Sequence, residues 1–266
     1  MANPVGSFIW YELMTPDPDS AAEFYGTVVG WTITRESDPG AAALDYRHIL
    51  RSDGGHLGGV LRLTQEMTNS GSRPCWMPYF NVNNVDAEVA AIEAEGGRAL
   101  MPTVEIDVGK IAMVLDPQSI PIYIMRPKPP AGSEDMASDV FDPVKPQHVR
   151  WNELSSPDQA GSMKFYHKHF GFEFNDKMPM GEMGEYCFIS HHGQTLGAIM
   201  QRQSEGQPAL WLFYFGVPSI AAAKQVVEDK GGTVLRGPME VPGGDWVIVA
   251  IDPQGASFGL VGPKGE

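Results

Sequence analysis

An α+β chain made by tandem duplication is the fold class the sequence predicts, on three observations. Residues 8–31 read as a strand, a capped helix and a turn, and a near copy returns at residues 149–172. There Trp10 matches Trp151, Glu12 matches Glu153, Phe24-Tyr25 match Phe165-Tyr166 and Gly30 matches Gly171, each pair 141 residues apart. Later, Trp76, Tyr79, Phe80 and Val82 return as Trp211, Tyr214, Phe215 and Val217, 135 residues on. Matches held in register across several elements mark a duplicated unit. The third observation is the alternation of strand-period and helix-period segments inside each copy.

The elements follow in order. Residues 8–14 are apolar and aromatic on both faces, so the strand is buried on one side and lines something on the other; Trp10, Glu12 and Met14 share a face. Thr15-Pro16 stops it. Asp17 stands at an N-cap with Pro18 behind it, Ala21, Phe24, Tyr25 and Val28 recur at helical spacing, and Gly30 ends the helix. Strands are expected at 31–35, 46–51 and 57–63, which completes a βαβββ module. A second module has a strand at 76–82, a helix at 85–95 capped by Asn84 and closed by Gly96-Gly97, then strands at 104–106, 111–115 and 120–125, the last two joined by a turn at Asp116-Pro117. Residues 7–126 are thus one domain. Residues 127–147, rich in Pro, Asp and Ser, are an extended linker, and 148–262 repeat the same order as a second domain.

Composition narrows the function. A net charge of −14 over 266 residues opposes the phosphate attraction behind nucleic-acid affinity and disfavours an anionic membrane surface. No apolar run is long enough to span a bilayer. Cys75 and Cys187 do not correspond in the repeat and have no CxxC spacing, so they read as isolated core thiols. The opening MANPVGSF lacks a basic segment before an apolar run, so no secretory signal is expected and the location is cytoplasmic. Nucleophile elbows and phosphate loops are absent. No histidine pair has metal-ligand spacing: His167 and His169 diverge on a helix, and His191-His192 sit at a hairpin tip, where both should be solvated.

The FY of the first helix, the Gly-aromatic after it, the Gly-Gly after the second helix, and the turns DPQS and DPQG together resemble the vicinal oxygen chelate superfamily of glyoxalases, bleomycin-resistance proteins and extradiol dioxygenases. The WxEL strand is most similar to the tandem-domain, glyoxalase-like members. The resemblance implies that paired βαβββ modules curve a mostly antiparallel sheet into a cup that holds a ligand. Metal enzymes of the family carry ligands on the first, fifth and last strands of a domain. The aligned positions here are Trp10, Met77 and Tyr123 in the first repeat and Trp151, Leu212 and Gly259 in the second. A divalent cation needs converging imidazole or carboxylate donors, so no metal or other cofactor is expected, with a divalent metal as the runner-up.

Glu12 and Glu153 are the candidate catalytic residues. Each lies two positions beyond the lost ligand position and faces the same way. A carboxylate against Trp is partly desolvated, which raises its pKa toward that of a general base. The structural alternative is a Glu that satisfies backbone donors. The candidate ligand-binding residues are Trp10, His48, Met77, Tyr79 and Tyr123 in the first cup and Trp151, Leu212 and Tyr214 in the second. The aromatic ones suit a flat or hydrophobic ligand, or simply fill a core. His48 is special to the first repeat, since Phe188 replaces it, and Gly259 in place of Tyr123 should leave more room in the second cup. The expected function is metal-free binding of a small aromatic or hydrophobic molecule by a monomer or homodimer. The alternatives are a lyase, isomerase or dioxygenase that uses Glu12 or Glu153 as base or a nonstandard metal site built on Glu12 and His48, and an interaction module whose second domain is mainly scaffold.

Overall fold

Four βαβββ-like modules, the second with one extra short strand, follow one another in the computed structural model, which describes residues 3–41, 44–133 and 135–266; Met1 and Ala2 of the opening segment lie outside these. The first module has β1 (Phe8–Thr15), α1 (Pro18–Val28), β2 (Thr32–Ile33), β3 (Tyr46–Leu50) and β4 (His56–Arg62), followed by a short helix, α2 (Gln65–Asn69). The second has β5 (Cys75–Asn81), α3 (Val85–Ala94), β6 (Arg98–Ala99), β7 (Val104–Ile106), β8 (Gly109–Leu115) and β9 (Pro121–Pro127). The third has β10 (Val149–Ser156), α4 (Gln159–Phe170), β11 (Lys177–Pro179), β12 (Glu185–His191) and β13 (Gln194–Gln201). The fourth has β14 (Leu210–Gly216), α5 (Ile220–Asp229), β15 (Thr233–Glu240), β16 (Trp246–Ile251) and β17 (Ser257–Gly262).

Local chemistry starts each long helix in the same way. A side-chain oxygen of Asp17, Asn84, Asp158 or Ser219 accepts from the backbone N–H three residues on, at 3.0–3.2 Å. Helix α2 was not expected; Thr64 caps it by accepting from Met67 N at 3.2 Å. Strand β2 is two residues long, shorter than the 31–35 expected. His191 is a further correction. It is buried, not solvated, because its Nε2 reaches Val5 O at 2.9 Å and a backbone carbonyl is a suitable partner for a buried ring.

Within the modules the strand orders are β2-β3-β4-β1, β6-β8-β9-β5 with β7 also on β8, β11-β12-β13-β10 and β15-β16-β17-β14. Each module has one parallel pair, formed by its first and last strands, and its other strand pairs among the described residues are antiparallel. The β1–β4 and β10–β13 pairs are close: a Cβ on Gly58 would land on the carbonyl oxygen of Tyr11, and one on Gly197 would land on that of Asn152. Only glycine permits that approach.

The chain folds as two compact units, each discontinuous in sequence. One is Met1–Ile9, Met77–Ser138 and Asn152–Trp211; the other is Trp10–Trp76, Asp139–Trp151 and Leu212–Glu266. Each unit therefore draws a module from each sequence repeat. A buried relay closes each unit. In the second, Trp76 Nε1 donates to Tyr25 Oη at 2.9 Å, and Tyr25 Oη donates to Asp252 Oδ2 at 3.0 Å. In the first, Trp211 Nε1 donates to Tyr166 Oη at 2.9 Å, and Tyr166 Oη donates to Asp116 Oδ2 at 3.1 Å. The other carboxylate oxygen accepts two backbone N–H groups of its own turn, from Gln118 and Ile120 or from Gln254 and Ala256.

The expected linker carries no helix or strand among its described residues beyond Pro127, but its end is fastened down. Arg51 Nη2 holds Asp139 at 2.5 Å, and Val140 is buried. Gln147 accepts from Ser52 N at 2.7 Å through its side chain and from Trp31 Nε1 at 2.9 Å through its carbonyl.

Candidate functional site

The chemistry-bearing side chains of the first repeat gather on one face of β3, β4 and β1. Alternation along β1 sends Tyr11 and Leu13 into the core and leaves Trp10 and Glu12 on the opposite face. In the ladder Glu12 pairs with Gly59 and Gly59 with His48, so three neighbouring strands place Glu12 and His48 on either side of a glycine. That glycine is required. The Tyr46 ring lies across it, and a Cβ there would meet the Tyr46 hydroxyl and the carbon that bears it. Over this gap Tyr46 Oη accepts from Trp10 Nε1 at 2.7 Å and donates to the Glu12 carboxylate.

Burial, and after it the charge of Glu12, push the Tyr46 hydroxyl well above its usual pKa, so it remains a donor at neutral pH. Glu12 is only 1% exposed. Burial, with a smaller contribution from Glu12, also drives the nearby Cys75 thiol up to about 12, which leaves it protonated and unreactive.

Beside this array stands an imidazole–carboxylate pair. His48 Nε2 lies 2.7 Å from Asp38 Oδ2. The His48 hydrogen bond, followed by one from Gly40 N, holds the Asp38 carboxyl below its usual pKa. Edge-on contacts surround His48, with centroid distances of 6.0 Å to Trp10, 5.9 Å to Tyr46 and 5.3 Å to His56. Burial lowers the His56 pKa, with help from His48 and Arg51. A depression of about 580 Å³ opens here, lined by residues 34–39 and His48.

The second repeat keeps half of this. Tyr186 Oη donates to Glu153 Oε2 at 2.6 Å. Phe188 stands where His48 does, and Ala198 pairs with Glu153 where Gly59 pairs with Glu12. Glu153 is half-buried, more open than Glu12. The Glu–Tyr pair thus belongs to both repeats and the His–Asp pair to the first.

The other predicted residues are dispersed. Tyr79 and Tyr123 face each other across the parallel β5–β9 pair and stack with centroids 4.3 Å apart. Met77 is buried, as are Leu212 and Tyr214, while Trp151 is half-buried on β10. Trp10, Glu12 and His48 are the members that the structure brings together. The room expected at Gly259 is taken: Tyr214 pairs with it and lays its ring where a Cβ would project.

The six aligned metal-ligand positions hold no imidazole or carboxylate, the donors that converge on a divalent cation in such sites. Among the described residues, no group of three or more His, Cys, Asp or Glu is gathered so as to hold one.

Tyr46, Tyr186, Gly59 and Asp38 were missed from the sequence. A signal for the first two existed: they recur 140 residues apart, in step with His48 and Phe188. Asp38 sits in a loop with no periodicity to mark it.

Comparison with known proteins gives this geometry its setting. The family model described as Glyoxalase/Bleomycin resistance protein/Dioxygenase superfamily matches residues 7–123 and 145–260. CFP32 of Mycobacterium bovis, provisionally named a glyoxylase, is 24% identical over 255 residues, 96% of this chain and 94% of its own length. The anthracycline biosynthesis protein DnrV of Streptomyces peucetius is 27% identical over 271 residues, 96% of this chain and 93% of its own. The Mn(II)-bound glyoxalase of Novosphingobium aromaticivorans superposes with a TM-score of 0.61 at 18% identity, covering 99% of this chain and 83% of that one. No helix among the described residues is long and apolar enough to cross a membrane.

Proposed function

The chain belongs to the glyoxalase/bleomycin resistance protein/dioxygenase superfamily, and on that premise we propose that it binds a small aromatic or hydrophobic molecule at the first repeat's sheet face without a divalent metal. The observation that carries this is the array Trp10→Tyr46→Glu12 beside His48–Asp38, at the edge of a depression of about 580 Å³. Aromatic walls with a few fixed polar groups suit such ligands. Metal-free binding is supported by the donor chemistry of the six aligned positions, and the charge of −14 argues against nucleic acid as the partner.

DnrV is named for anthracycline biosynthesis, so a flat polycyclic anthracycline is the first probe. Saturable quenching of tryptophan fluorescence, unchanged by chelator and nearly unchanged in Glu12→Gln, is the expected result. Stoichiometric Zn, Ni, Mn or Fe in purified protein, with binding lost to chelator, would overturn it. The second reading, Glu12 as a general base, is favoured by that carboxylate's burial beside the Tyr46 hydroxyl; it requires a turnover that Glu12→Gln abolishes.

A further inference from the structure

Building on that ligand-binding reading, we propose that His48, oriented by Asp38, makes the first repeat's site selective for aromatic molecules that carry a hydroxyl. A carboxylate can only accept hydrogen bonds. The contact at 2.7 Å between His48 Nε2 and Asp38 Oδ2 therefore fixes the proton of the neutral ring on Nε2 and leaves a lone pair on Nδ1.

That Nδ1 is buried, with no protein hydrogen-bond partner among the described residues. Two of its aromatic neighbours have already committed their protons. The Trp10 indole N–H is already given to Tyr46, and the Tyr46 hydroxyl proton is given to Glu12. Asp38 is an acceptor, and the nearby His56 lies edge-on at 5.3 Å.

A buried acceptor facing aromatic rings and lacking a donor is costly, and a ligand O–H removes that cost while a methyl ether cannot. An aromatic ligand entering from the depression beside His48 would carry its hydroxyl to this nitrogen. His48 also lines the depression of about 580 Å³, and its side chain is 29% exposed. The second repeat has no counterpart, because Phe188 occupies the equivalent place on β12. His48 is thus a specificity residue, and Asp38 is the residue that positions it.

The test is calorimetry on the full-length chain with two probes, 2-naphthol and 2-methoxynaphthalene. The wild type should bind the naphthol about tenfold or more tightly than its ether. His48→Phe should bring the two within about twofold by weakening the naphthol alone. Retained ether binding then shows that the site is still folded. Asp38→Asn, which frees the ring to take either tautomer, should narrow the gap in part. A wild type with no preference, or a His48→Phe variant that keeps the full preference, overturns the proposal. A wild type that binds neither probe instead removes the ligand-binding reading on which it rests.

Discussion

Tyr46 has no backbone role that another aromatic residue could not fill; its hydroxyl is what matters, because it receives the Trp10 indole proton and donates to Glu12. Tyr46→Phe should therefore destabilise the protein by about 1–3 kcal/mol, the cost of withdrawing a partner from buried polar groups. Urea unfolding measures it. Gly59→Ala attacks the same contact from the strand beneath by driving a methyl into the hydroxyl. The double variant should then cost less than the two single variants added, since residues sharing one contact are not independent. Glu12, Trp10 and His48 were legible in the sequence because strand alternation assigns a face. Tyr46 bonds across an intervening strand and Asp38 from an irregular loop, and neither reach leaves a period in the sequence.

At the scale of elements, the turns after β8 and β16 do more than reverse the chain. Asp116 accepts two N–H groups from its own turn and the Tyr166 hydroxyl, yet burial still raises its pKa to about 6 from 3.8. A raised carboxyl binds its proton more tightly folded than unfolded. Its stabilisation is complete below about pH 4 and is lost as pH climbs through 6. At ~1.36 kcal/mol per pKa unit the loss is about 3 kcal/mol. The stability of the wild type relative to Asp116→Asn should fall by that amount between pH 4 and 7, read from urea midpoints at each pH. Asp252 is raised for the same first cause, burial. The helix caps were legible because they are local: Asp17→Ala should cost about 1 kcal/mol, through loss of the bond to Ser20 N at 3.1 Å.

For the whole molecule, the two repeats are units of sequence and the two compact bodies are units of structure, and they do not coincide. Each body takes its Tyr from one repeat and its Asp from the other. A single cut in the exposed stretch around Lys128–Gly132 should therefore leave both fragments associated, eluting together on size exclusion without denaturant. Separate elution would show that the halves stand alone. The duplication was legible from matched residues, but the exchange was not. The FY, Trp and DP motifs announce the elements they sit on, while their partners lie 50 and 227 residues away along the chain.

The crossed tyrosine–aspartate bonds also bear on how the copies diverge. A lesion in one copy's helix is felt by the other copy's turn, so neither can drift alone at those places. The sheet faces carry no such mutual debt. There one copy holds an imidazole and its twin a phenyl ring, at His48 and Phe188, so one half was free to specialise while the other kept the shared frame intact.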